Sequence, residues 1–433
     1  MKLIKKRMDL RIGFVCTEYF HSDEINGKLK PSNAHGGFGF LTRVKAEYLA
    51  EHGYDVHVFI PGENFQNNIM ETKIINKVQV HIYRTNYDKR SFIGKAIREI
   101  KGLTPNPDLE KYFNEIKLDI LQSEDTPPSN ILLNKSLNIP FIMVFQDPFD
   151  YYDVNLLLDS EKNYLNIPKS GILGYKIKPH DYKFKDAFLI NVAHKKNYIK
   201  PMHRFLTSNN KIINNYAEAK FIANKAKEIF NLDKIPGLLL NPIKIYNIKR
   251  EKFENPTICW VARWDPQKRP DMALLIARKM PDINFIMIGT ASKNSKNYQE
   301  VEDYLKKEFS QLKNLTIMGF VSEEKKREII GKSWGLLNTS IREGLPITFL
   351  EAMAEGTPII SYVDPDMYTS RFGIKVDYNI DSFKQGIEKA VTEKLYDKIG
   401  NKEREYVLKE HELEVVMNKH LQIYEKILKN QDF

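Results

Sequence analysis

The chain has 433 residues, well beyond the ~100–150 of a typical single core, so two domains are expected. A composition of 42% hydrophobic and 28% charged residues excludes a fibrous or disordered chain, and no stretch approaches the ~20 apolar residues of a membrane span. Two distant cysteines, Cys16 and Cys259, exclude a disulfide framework, and the net charge of +10 is shared about equally by residues 1–200 and the remainder, so no basic domain points to nucleic acid.

The opening residues, MKLIKKRMDL, lack the apolar centre of a secretory signal, so a cytoplasmic protein is expected. Residues 11–16 form a short apolar run without alternation, as in a strand buried on both faces. A glycine-rich turn follows at Gly36, Gly37 and Gly39, then a helical pattern with Leu41, Val44, Tyr48 and Leu49 on one face, stopped by Gly53. Residues 55–60 read as the next strand, which completes a βαβ unit. Further strands are expected at 119–122, 141–145 and 204–207. The second half repeats the pattern, with strands at 257–261, 284–288, 315–318, 334–338 and 358–361 and a helix over 270–280. Alternation of this kind implies parallel sheets covered on both faces. The predicted division is 1–245, 246–410 and a closing helix, 411–433, that crosses back to the first domain. Residues 231–255 are the best linker.

Two segments carry chemistry. In REGLPITFLEAMAEG, Pro346 suits the first turn of a helix and Gly356 the residue past its end, which predicts a helix over 346–355. Glu343 then lies in the loop before it and Glu351 within its first two turns. The N-terminus of such a helix presents unpaired N–H groups and a positive dipole end to an anion. For an isolated glutamate pair, capping and a solvated face are the better explanation; a second signal shifts that balance. In ARWDPQK, Arg263 and Lys268 directly follow the first strand of the second domain, where open α/β sheets bind ligands. A guanidinium and an ammonium there can grip two phosphates.

Together these segments resemble the GT-B glycosyltransferases, in particular the retaining nucleotide-sugar enzymes of glycosyltransferase family 4. The resemblance rests on the E-x7-E spacing from Glu343 to Glu351, on VARWDPQKRPD, on Asn241-Pro-Ile and on GGFG followed by a helix. It implies an α/β fold of two Rossmann-like, doubly wound domains with an active-site cleft between them. It implies a sugar transfer from a nucleotide-diphosphate sugar, such as a UDP- or GDP-sugar, to a hydroxyl acceptor, with retained configuration and no metal or other cofactor. Glu343, Arg263 and Lys268 would be catalytic, the two cations neutralising the leaving diphosphate. Gly36, Gly37, Gly39, Gly344, Leu345, Pro346 and Glu351 would complete the donor site, with Glu351 on the ribose. The acceptor would be a glycan, a lipid-linked molecule or another hydroxyl compound.

Two positions depart from the family. Gln146-Asp147 stands where a His-Asp pair is common near the donor sugar. Gln146 can hydrogen-bond a hydroxyl but cannot take up a proton near neutral pH. Ala262 replaces the usual glycine.

Competing readings are a dehydrogenase, disfavoured because about twenty residues separate the first strand from the glycines, and a metal-dependent transferase using Asp364 and Asp366. A non-catalytic nucleotide-sugar or glycan-binding protein on the same fold is the principal alternative. Residues 89–101 place Ile93, Ile97 and Ile100 on one face with Lys95, Arg98 and Lys101 around them. That pattern fits a helix lying peripherally on an anionic inner membrane face and, better, an ordinary helix packing its isoleucines on the sheet.

Overall fold

The computed structural model describes residues 10–16, 19, 37–62, 71–84, 107–124, 139–148, 156, 195, 199–207, 213–246, 251–291 and 296–429. Gly36 and the basic segment 89–101 lie outside the described residues.

The first domain contains β1 (Arg11–Val15), α1 (Gly37–Glu51), β2 (Asp55–Gly62), β3 (Glu71–Ile75), β4 (Val78–Arg84), α2 (Pro107–Ile116), β5 (Ile120–Ser123), β6 (Phe141–Phe145), α3 (Lys200–Leu206), β7 (Ile213–Ala217), α4 (Lys220–Phe230) and β8 (Gly237–Leu238). Its sheet has the order β3-β4-β2-β1-β5-β6-β7-β8. Among the described residues only the β3–β4 pairing is antiparallel. All residues of β5 and β6 are buried, as apolar runs without alternation require.

The second domain contains β9 (Thr257–Val261), α5 (Pro270–Arg278), β10 (Asn284–Ile288), α6 (Lys296–Glu308), β11 (Leu315–Gly319), α7 (Glu323–Lys332), β12 (Gly335–Asn338), α8 (Ile347–Ala354), β13 (Ile359–Ser361), α9 (Tyr368–Arg371), β14 (Gly373–Lys375) and α10 (Ile380–Thr392). Its wholly parallel sheet runs β11-β10-β9-β12-β13-β14. Two helices close the chain, α11 (Leu395–Glu410) and α12 (Leu413–Lys429).

Each sheet winds outward in one direction and then reverses. The reversals fall between β1 and β5 and between β9 and β12, and crevices at such switch points are where doubly wound sheets take ligands.

Several local expectations need correction. Residues 204–207 fall at the end of α3, a helix with a proline in its first turn, and the strand lies later, at β7. Arg204-Phe-Leu is a short apolar run, which periodicity alone cannot assign to strand or helix. Residues 231–255 are not wholly linker, because β8 joins the first sheet. The closing helix begins at Leu413 rather than 411, and in the break before it, at His411-Glu412, Ile243 forms a parallel bridge to Glu412. Beyond that break, Met417, Tyr424 and Ile427 of α12 pack into the same apolar cluster as Ile12, Val58 and Val80 of the first sheet. Among the described residues no helix is long and apolar enough to cross a membrane.

Candidate functional site

The loop after β9 and the loop after β12 flank the second switch point and are stitched together. Thr339 bonds the carbonyls of Lys268 and Arg269 at 2.8 and 2.9 Å and accepts from the Trp260 indole at 2.9 Å. Ile341 N–H donates to the Gln267 carbonyl at 3.0 Å, and the Gln267 amide returns a bond to the Arg342 carbonyl at 2.9 Å. This frame holds Lys268 Nζ 2.7 Å from both Glu343 oxygens. Ser340 Oγ donates to the same carboxylate at 2.6 Å. Burial pushes the Glu343 acid up, but the Lys268 ammonium and the hydroxyl outweigh it and hold the group below the usual carboxylate range. Arg263 lies at the mouth of the loop, 44% exposed and 3.6 Å from Asp265.

Pro346 is the N-cap of α8 rather than its first helical residue, with an extended ψ of 128°. It has no side-chain cap, and α8 carries no acidic residue in its first turn. At the other end Gly356 adopts φ +64°, a left-handed position that suits glycine, and Thr357 N–H returns to the Ala352 carbonyl at 2.8 Å. Glu351 is fully buried within α8. One of its oxygens receives Lys326 Nζ at 2.6 Å, while Oε2 has no partner among the described residues. Burial raises the Glu351 acid, and Lys326 opposes that rise.

The first domain brings the N-terminus of α1 to the same place. A Cβ on Gly37 would lie 3.4 Å from Ile347 Cδ1, so the starts of α1 and α8 nearly touch. Gly39 is buried in the first turn of α1. Lys326 Nζ sits 5.6 Å from the centre of the Phe40 ring. Two positive helix ends this close together, with Lys268 bonded to Glu343 in the loop ahead of α8, form an arrangement that an anion would stabilise.

At the carboxyl ends of β5, β6 and β7 stand Glu124, Gln146-Asp147 and Glu218. Lys45 Nζ and Glu124 Oε2 form a 2.6 Å ion pair in which both side chains are wholly buried. Gln146 Nε2 donates to Glu124 at 3.0 Å, which leaves Gln146 Oε1 buried without a partner among the described residues. Gln122 also donates to Glu124, and its own oxygen accepts from Tyr424 of α12 at 2.7 Å. Both Asp147 oxygens accept from Arg342. Glu218 accepts from Leu345 N–H at 2.9 Å and from the Asn241 side chain; burial pushes its acid up to about 8.

Sequence reading passed over Lys45, Glu124, Glu218, Lys326 and Arg342. Lys45 had a signal, since it follows Leu41 by four residues on the apolar face of α1. Glu124 had one as well, since it directly follows the fully buried β5, whereas the strand before Glu218, β7, is only part-buried over its first four residues and gave none. The Asp364-Pro-Asp366 pair has a structural role instead: Asp366 caps α4, accepting from Lys220 and Phe221 N–H at 2.7 and 2.8 Å, and Asp364 accepts from Ser370 N–H at 3.0 Å. Trp260 and Trp264 pack edge to face within the second core, and both cysteines are buried, neither of them in a disulfide.

Comparison with known proteins bears on this geometry. Residues 244–406 match the family described as Glycosyl transferases group 1. The structure is similar to sucrose-phosphate synthase from Thermosynechococcus elongatus, with a TM-score of 0.67 and 13% identity over 97% of this chain and 100% of that one. The fold is GT-B. A glycosyltransferase from Rickettsia africae gives a TM-score of 0.61 at 16% identity, over 98% of this chain and 99% of that one. Anabaena HepE in complex with UDP-glucose gives 0.60 at 11% identity, over 96% and 100%. A search of curated protein sequences finds no match. In this GT-B chain the matched segment contains Arg263, Lys268, Glu343 and Glu351 and stops short of Gly37, Lys45, Gln146 and Glu218.

Proposed function

We propose that the protein is a glycosyltransferase that moves a sugar from a nucleotide-diphosphate sugar to a hydroxyl acceptor, with retained anomeric configuration and without a metal. The observation that carries this reading is the meeting of the α1 and α8 N-termini beside the Lys268–Glu343 pair, at the second switch point. A diphosphate there would face two sets of unpaired N–H groups, Lys268 and, on reorientation, the half-exposed Arg263. These cations and dipoles would stabilise the negative charge that grows on the leaving diphosphate.

Glu351 Oε2, buried and unpartnered, would accept from ribose hydroxyls. Glu343 would contact the transferred sugar, and the backbone at Gly344, Leu345 and Pro346 would orient it. Gly37 and Gly39 would allow close approach of the first-domain backbone. Gln146 Oε1 offers an acceptor for a sugar hydroxyl. An acceptor molecule would enter from the first-domain side. UDP-glucose in HepE makes UDP-sugars the first donors to try.

The test is a thermal-shift screen against UDP- and GDP-sugars, followed by NMR of the product formed with hydroxyl acceptors. A bound donor raises the melting temperature through preferential binding to the native state. Transfer or donor hydrolysis supports the enzyme reading over a binding protein, and an inverted anomer would sink retention. A chain stabilised by none of the nucleotides would sink the reading as a whole.

A further inference from the structure

The geometry points to an interdomain clasp: Asp147 and Glu218 of the first domain hold the loop ahead of α8 through Arg342 and Leu345 and so set the position of Glu343. This inference rests on the reading above for the importance of Glu343, but the clasp itself is a contact between domains. Its residues are positioning residues.

Of the four residues from Arg342 to Leu345, three are tied to the first domain and one, Glu343, to its own. Arg342, only 5% exposed, turns its guanidinium to both oxygens of Asp147, and its Nη2 also reaches the Pro148 carbonyl at 3.3 Å. Glu343 turns the opposite way, to Lys268 of its own domain. Gly344 lies against the end of β6 so closely that a Cβ would stand 2.6 Å from the Gln146 carbonyl oxygen and 3.1 Å from Glu218 Oε1. No side chain fits there without displacing backbone. Leu345 N–H then donates to Glu218, which Asn241 holds from its other side.

The attachment favours the closed arrangement: parting the domains exchanges a two-bond ion pair and the Leu345–Glu218 hydrogen bond for bonds to water, a net loss for each. While closed, the contacts leave the loop little freedom, because three of its four residues touch the first domain. A fork-shaped, two-bond arginine–carboxylate pair fixes direction as well as distance. Donor affinity should therefore depend on first-domain residues that are not placed against the donor phosphates.

The experiment compares wild type with Arg342→Gln, Asp147→Asn, the double variant, and the charge swap Arg342→Asp with Asp147→Arg. UDP and GDP binding is measured by calorimetry, domain separation by small-angle scattering, and folding by circular dichroism melts. Each single variant should bind the nucleotide about tenfold more weakly and show a larger radius of gyration while still melting cooperatively. The double variant should be no worse than the worse single, and the swap should regain most of the affinity. In a parallel arm, Glu218→Gln, which keeps an acceptor oxygen, should stay within about twofold of wild type, and Glu218→Leu should weaken binding. Singles with wild-type affinity and dimensions, or losses that simply multiply in the double, overturn the clasp. Should a single variant fail to fold, the swap and the Glu218 pair decide. A wild type that binds neither nucleotide counts against the proposed function, and scattering then still decides the clasp.

Discussion

Both domains place charged groups at the carboxyl ends of their central strands, but they hold them in opposite ways. In the second domain Lys268 and Glu343 come from two loops stitched by backbone bonds, and each keeps some contact with solvent, at 17% and 9% exposure. In the first domain Lys45 and Glu124 are sealed entirely, and they are bonded to side chains from β5, β6 and, through Gln122, α12. The first arrangement leaves charges able to exchange partners with a ligand. The second fixes a platform, because a buried ion pair loses far more on separation than a partly hydrated one. On the proposed function, the half that would bind the donor can adapt, and the half that would face the acceptor holds its shape.

The comparison can be broken most forcefully at Lys45. Lys45→Met leaves Glu124 as an unpaired charge in the interior and should cost ~3–5 kcal/mol in urea unfolding, whereas pairing it with Glu124→Gln, which removes the charge but keeps an acceptor oxygen for the neighbouring amides, should recover much of that loss. An equal loss in both variants would mean that the pair is not the origin of the platform's rigidity.

A second test uses pH at the junction of the domains. His411 is buried; its Nδ1 lies 2.9 Å from the Asn241 carbonyl, and its Nε2 lies 2.7 Å from the Tyr368 hydroxyl. Burial pushes the imidazole down to about 4. The folded state therefore resists protonation more than the unfolded state does. This contribution is complete above pH ~6.5 and declines as pH falls towards the folded value, a loss on the order of 3 kcal/mol at most. His411→Gln should flatten this part of the stability profile, and an unchanged slope would place its origin elsewhere.

Effects on activity come next. Lys268→Ala should lower kcat/KM for the nucleotide-sugar by ten- to over a hundredfold, which corresponds to the ~1.5–3 kcal/mol of a charged hydrogen bond. Glu351→Ala should fall in the same range, through donor KM. Wild-type kinetics in both would remove the second-domain site. The smallest effect belongs to Gln146→Ala, which should reduce kcat/KM by about five- to tenfold, roughly 1 kcal/mol, with nucleoside-diphosphate affinity unchanged. Loss of nucleotide affinity instead would show that Gln146 does not act on the sugar side.

The same contrast explains which parts were legible beforehand. Glu343, Pro346, Glu351 and Gly356 lie within one short segment, so helix punctuation locates them together, one residue off at Pro346. Arg263 and Lys268 follow a strand whose apolar run is unambiguous. Both doubly wound sheets follow from alternation, but the short strands β3, β8 and β14 were missed, and so was β4, although Val78, Val80 and Ile82 alternate along one buried face. The platform around Glu124 draws on residues from 45 to 424, and no local spacing connects them. Arg342 pairs with a residue 195 positions away. Such partners are chosen by the topology, and only the folded chain brings them together.

The bridge between Ile243 and Glu412 means that the chain passes between the two domains twice, at neighbouring points. The Ile243 and Leu413 N–H groups donate to the carbonyls of His411 and Ile243 at 2.7 and 3.1 Å, so the two crossings are bonded side by side. A fragment ending near residue 245 would lack α12 and expose the apolar face that Met417, Tyr424 and Ile427 cover. Supplied as a separate peptide, α12 should bind back to such a fragment, and a single cut in either crossing should leave two pieces that stay together. The first domain is one body in space written in two places along the chain.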